Sequence, residues 1–126
     1  MTDPALITAL ESANEIDIVV IGRKSKRPIR LTVWFVLAAE RLNLLPVSGS
    51  DTQWFKNVVS QPAIEIRVGR RRITAHAEII EAPRKVNDIT DLFRAKYGAG
   101  DVKRYYPKID VAVTVDLSRA RRAAAG

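Results

Sequence analysis

Five of the eight residues from Arg23 to Arg30 are cationic: Arg23, Lys24, Lys26, Arg27 and Arg30. With Gly22, Ser25 and Pro28 among them they read as a turn. Such a turn offers an oxyanion guanidinium forks, ammonium groups, a hydroxyl and free backbone N–H groups, which is what a phosphate needs. The strand that follows carries Arg30, Thr32 and Trp34 on one side, so a flat aromatic is available to a planar ring. Taken alone, the same run also suits a solvated charged face, and Trp34 and Trp54 also suit core or interface positions. Other chemistries have little support. The chain lacks cysteine, which removes disulfides, thiol catalysis and thiolate metal sites together, and the single His76 rules out a multi-histidine centre. No carboxylate pair, nucleophile motif, or Walker or Rossmann glycine pattern is present.

The elements that must position these residues follow from periodicity. Asp3 as a cap, Pro4 at the first helical position, and Leu6, Ile7 and Leu10 at helical spacing predict a short helix over residues 4–13. From Glu15 to Ile21, Ile16, Ile18 and Val20 on one face with Glu15 and Asp17 on the other predict a half-buried strand, and a second strand places Leu31, Val33, Phe35 and Leu37 opposite Arg30, Thr32, Trp34 and Val36. A third runs from Arg41 to Val47 and ends in the loop Pro46-Val47-Ser48-Gly49-Ser50. Ser50 or Asp51 then caps a helix from Thr52 to Ser60, in which Trp54/Val58 and Phe55/Val59 pair one turn apart. Ile64 to Val68 and Ile73 to Ile79 form a hairpin across Gly69-Arg70. A helix opens at Pro83 and ends at Gly98, a short helical piece carries Tyr105 and Tyr106, and Ile109 to Leu117 gives a last strand.

Six alternating strands without a βαβ rhythm predict an α+β, β-dominated chain whose antiparallel sheet closes into a split β-barrel with flanking helices. A length of 126 residues fits one domain over 1–118, followed by a basic, Ala-rich tail at 119–126 that is expected to be disordered. The net charge of +7 favours an anionic partner. No apolar run reaches a membrane span and no secretory signal is visible, so a cytoplasmic location is expected. Apolar Val19, Ile21 and Val36 on outward strand faces predict a homodimer.

The order Gly22-Arg23-Lys24-Ser25, Val33-Trp34-Phe35-Val36, Ser48-Gly49-Ser50 and Gln53-Trp54-Phe55-Lys56-Asn57 resembles the pyridoxamine-phosphate-oxidase-like split-barrel flavoproteins, and most of all their deazaflavin-dependent nitroreductase branch. The resemblance spans about Glu15 to Asp116. It implies an oxidoreductase that binds FMN or the deazaflavin coenzyme F-420 and passes hydride to a small organic substrate. By the same resemblance Arg23, Lys24, Ser25 and Arg30 would hold the cofactor's phosphate, while Thr32, Trp34, Pro46, Val47 and Ser48 would line its ring. Ser50 and Trp54 would stand near its tail at the start of the next helix. The chain departs from that branch in two places: Lys26 replaces a second glycine of the turn, and the loop before the tryptophan helix is shorter.

Two alternatives stay open. Basic loops beside aromatics on a β-surface also bind single-stranded nucleic acid. A barrel that binds a cofactor without turning anything over fits the same residues.

Overall fold

Alternation along Glu15–Ile21 produces β1, which pairs antiparallel with β2 (Pro28–Trp34) over its whole length, Ile18 opposite Leu31 and Asp17 opposite Thr32. The computed structural model describes residues 3–122. The chain opens with α1 (Pro4–Glu11), where the Asp3 carboxylate accepts from the Ala5 N–H and Pro4 occupies the first turn. After β2 come β3 (Val36–Ala38), β4 (Arg41–Leu44), α2 (Gln53–Ser60), β5 (Ala63–Val68), β6 (Arg71–Ile80), α3 (Pro83–Tyr97), α4 (Ala99–Tyr105), β7 (Ala112–Asp116) and the two-residue β8 (Arg121–Arg122).

The strands form one curled antiparallel sheet in the order β2-β1-β5-β6-β7-β4-β3, with β8 beside β6. The long β6 belongs to both halves. Its residues Arg71–His76 pair with β5, and Ala77–Ile80 pair with β7, which is what splits the barrel. The two ends of the sheet, β2 and β3, are consecutive in sequence, so the barrel is closed through Phe35.

The expected α+β split barrel is therefore the observed fold, with one correction in the strand count. One expected strand is two, because the chain passes at Phe35 from one half-sheet to the other. The groups of Phe35 that leave the ladder are satisfied by the last turn of α3: its N–H donates to Tyr97 Oη at 3.1 Å, and its carbonyl accepts from Lys96 Nζ at 2.9 Å. The Lys96 ammonium also sits 3.7 Å from the centre of the Phe35 ring. Burial pushes the Lys96 pKa down. β8 adds a further short strand, and residues 123–126 of the expected tail lie outside the described residues.

Two cores result. Ile16, Ile18, Val20, Phe35, Leu42, Leu44, Ile64 and Val113 fill the barrel with help from α1 and α2. Outside it, α3 and α4 lay Val86, Ile89, Phe93 and Val102 against Val36, Leu45 and Ala112. Val36, expected to face a partner chain, is 8% exposed because its own helices cover it, and Val19 is 9% exposed. No helix among the described residues is long and apolar enough to cross a membrane.

Candidate cofactor site

The basic turn is built on two backbone hydrogen bonds, Gly22 N–H to Arg27 O and Lys26 N–H to Gly22 O, both 2.9 Å. Ser25 Oγ closes it further by accepting from the Arg27 N–H at 3.2 Å. A Cβ on Gly22 would stand 2.4 Å from that oxygen, so a larger residue there would push Ser25 Oγ off its bond to Arg27. Lys26 adopts φ 61°, the left-handed conformation a glycine would take without penalty. The exchange of glycine for lysine thus preserves the turn and adds an ammonium at its tip. Among the described residues, the side chains of Lys24, Lys26 and Arg27 make no ion pair or hydrogen bond.

Arg23 has a different position from its neighbours. Its guanidinium donates to Asn57 Oδ1 and to Gln53 Oε1, each at 2.8 Å, and its N–H donates to Asn57 Oδ1 at 3.1 Å. It is a strut that fixes the turn against the first turns of α2. Thr52 is the N-cap residue of that helix, where Ser50 or Asp51 was the expected cap; both lie instead in a single 3-10 turn, Gly49–Asp51. Thr52 Oγ1 accepts from the Ser48 N–H at 2.8 Å and so leaves the opening N–H groups of α2 without a side-chain cap. The partial positive charge of a helix start therefore stands beside the cationic turn.

The loop from Pro46 to Ser50 is fastened from the far end of the chain. Asp110 accepts from the Ser50 N–H at 2.8 Å and from its hydroxyl at 2.5 Å, and Lys108 Nζ reaches Asp51 at 2.9 Å. The Ser50 hydroxyl holds the Asp110 carboxyl below its ordinary range, as Lys108 does for Asp51. Gly49, at φ 55°, leaves no room for a side chain, since a Cβ would meet Asp110 Oδ1 at 2.1 Å. Pro46 is buried, Val47 and Ser48 are exposed, and Trp54 belongs to the barrel core at 6% exposure.

The remaining expected residues lie along β2. Arg30 Nε and Thr32 Oγ1 each donate to Asp17 at 2.7 Å from the outer face of the sheet. Trp34 stacks on Tyr97 at 4.2 Å and 9°, and on Tyr105 at 4.5 Å and 12°. Two parallel rings that close to one indole must occupy its opposite faces, so Trp34 is the middle of a three-ring stack. It stands about 20 Å along the strand from Pro28. The structure thus ties Arg23, and with it the basic turn, to the start of α2, and commits Arg30 and Thr32 to Asp17 and Trp34 to its aromatic stack.

Sequence reasoning placed none of Asp17, Gln53, Asn57, Asp110 or the tyrosines in the site; Tyr105 and Tyr106 are expected only to cover a barrel end. Gln53 and Asn57 could have been found, because residues four apart on one helix face can serve a single guanidinium.

A family model described as an uncharacterized protein conserved in bacteria (DUF2255) matches residues 6–117. No curated protein matches the sequence. Among solved structures, an F-420-H2 dependent reductase is 15% identical, with 81% of this chain and 93% of that one covered at a TM-score of 0.64. A heme storage protein from Vibrio cholerae is 14% identical, with 98% and 91% covered at 0.69. A putative pyridoxamine 5'-phosphate oxidase from Listeria innocua is 13% identical, with 94% of each chain covered at 0.67. At these identities they share the split-barrel fold with this chain.

Proposed function

We propose a function for a chain that belongs to the DUF2255 family of uncharacterized bacterial proteins: it binds a phosphorylated flavin or deazaflavin cofactor, FMN or F-420, and works as an oxidoreductase on a small organic substrate. The observation that carries this reading is the cationic turn pinned by Arg23 against the uncapped start of α2. Lys24, Ser25, Lys26 and Arg27 would hold the anionic tail together with the first N–H groups of α2. The exposed Val47 and Ser48 would take the near edge of the ring. Trp34 offers no free face, and Arg30 and Thr32 are committed to Asp17, so these three support the sheet beside the site instead of contacting the cofactor. When bound, the ring would supply the hydride chemistry. The chain's part would be to orient it and to neutralise its phosphate.

The fold is shared by the F-420-H2 dependent reductase and the oxidase-like protein, which supports this cofactor class, and by the heme storage protein, which makes heme a necessary control. A solved domain-swapped dimer of the same fold, 15% identical at a TM-score of 0.64, supports action as a homodimer. A cytoplasmic setting belongs to the same proposal.

Fluorescence titration of the purified protein with FMN, F-420, hemin and a labelled single-stranded oligonucleotide tests the reading. Saturable binding of FMN or F-420, weakened at least about tenfold in Lys24→Ala/Lys26→Ala/Arg27→Ala, is the expected result, since each charged contact contributes about 1.5–3 kcal/mol. Preference for the oligonucleotide or for hemin, or a triple variant that binds as well as the parent, would overturn it. Binding without oxidation of the reduced cofactor by any acceptor would reduce the chain to a carrier.

A further inference from the structure

The second core leaves a cleft that shares no residue with the cationic turn. It lies between the N-terminal half of α3 and the outer face of β4, β6 and β7, with a volume of about 410 Å³, within the range of small-molecule sites. Its floor is polar. Asn43 and Thr114 face each other in the β4–β7 register, 5% and 4% exposed. The Asn43 amide hydrogens go to the carbonyls of Val36 and Arg41, at 3.2 and 3.3 Å, so its own oxygen is left as an acceptor. Thr114 lines the cleft, and its Oγ1 is buried without a hydrogen-bond partner. An orphaned hydroxyl in such a place is rare and points to a missing partner.

The walls and rim narrow the class of that partner. Ile80 and Ile89 give two apolar sides. The rim carries two cations and two anions. Arg41 and Glu78 pair at 3.2 Å on the sheet side, while Lys85 and Asp88, three residues apart on α3, have no ion pair among the described residues. The chain as a whole is +7, yet this rim is balanced, so it does not select an anion. We propose that the cleft binds a small zwitterion of the amino-acid class, its carboxylate toward Lys85, its ammonium toward Asp88, and a hydrogen-bonding group on Asn43 and Thr114. The apolar part of the molecule lies between Ile80 and Ile89. Each unpaired polar group of the cleft then has a partner of the right kind.

Isothermal titration calorimetry with each common amino acid in turn, and with acetate and methylamine as single-charge controls, tests this. At least one amino acid is expected to bind saturably, with both controls at least about tenfold weaker. Thr114→Val keeps the shape of the side chain and removes the hydroxyl. It should lower the affinity at least about tenfold, and it should melt no lower than the parent because it deletes a buried unsatisfied group. Lys85→Ala and Asp88→Ala lie on the exposed rim of a helix and each should weaken binding with the fold intact, which keeps the test decisive if Thr114→Val does not fold. Absence of binding by every amino acid, equal binding of acetate or methylamine, or affinities unmoved by the rim variants would overturn the proposal. So would a folded Thr114→Val protein that binds the amino acid as tightly as the parent, since the hydroxyl would then have no part in the cleft's chemistry.

Discussion

At Asp17, hydrogen bonds of 2.7 Å from Thr32 and Arg30 hold the carboxyl below its ordinary 3.8, the Thr32 bond being the larger cause. A carboxyl lowered on folding contributes stability that is present above its ordinary pKa and is lost as pH falls through the lowered folded value. Asp17→Asn is therefore expected to shift the urea midpoint downward at neutral pH and to converge with the parent in acid, once the pH has fallen below the lowered folded value and both side chains are uncharged. A difference that persists undiminished in acid would show that packing, and not the charge, is at work. Lys26 gives a second residue-scale prediction. Its left-handed backbone carries a penalty of roughly 1–2 kcal/mol, and glycine loses about 0.5–1 kcal/mol of chain entropy. Lys26→Gly should therefore leave the protein equally stable or up to about 1.5 kcal/mol more so, while cofactor affinity falls for want of the ammonium. Thermal melting and fluorescence titration on the same sample separate the two effects.

Among the elements, the last turn of α3 does work that no strand does. Tyr97 and Lys96 replace the pairing that Phe35 loses where β2 becomes β3. Tyr97→Phe keeps the ring in its stack on Trp34 but leaves the Phe35 N–H without an acceptor, and a loss of about 1–3 kcal/mol in denaturant unfolding is expected. Trp34 fluorescence should change little, because Tyr105 still covers its other face. A similar division holds for α2, which the turn reaches through Arg23. Arg23→Ala should speed amide hydrogen exchange at Lys24 to Arg27, because it removes the guanidinium bonds to Gln53 and Asn57 and leaves only the backbone N–H bond to Asn57 to tie the turn to α2. Exchange as slow as in the parent would mean that the turn is held by its own backbone bonds.

Over the whole molecule, much of the architecture was readable from alternation, because a sheet with one buried face must alternate; β5 does so through its full length, β6 as far as Ile79 and β1 as far as Ile18. The break at Phe35 was not readable. Leu31, Val33, Phe35 and Leu37 keep the same inward phase across it, and periodicity does not report which strand supplies the hydrogen bonds. The site was legible in part for a related reason. The turn is local, so its cations could be named from sequence alone. What occupies Trp34 comes from Tyr97 and Tyr105, and what occupies Ser50 comes from Asp110, residues brought near only by the fold. Cross-strand pairing, not spacing, gave Asp17 to Arg30 and Thr32.

A direct measurement of cofactor placement is an amide NMR map of the labelled protein titrated with FMN and, separately, with F-420. Saturable shifts concentrated at Lys24 to Arg27 and at Gln53 to Phe55, with smaller ones at Val47 and Ser48, are the expected result. Shifts that never saturate, or that gather around Trp34 and Tyr105 while the turn stays silent, would contradict it.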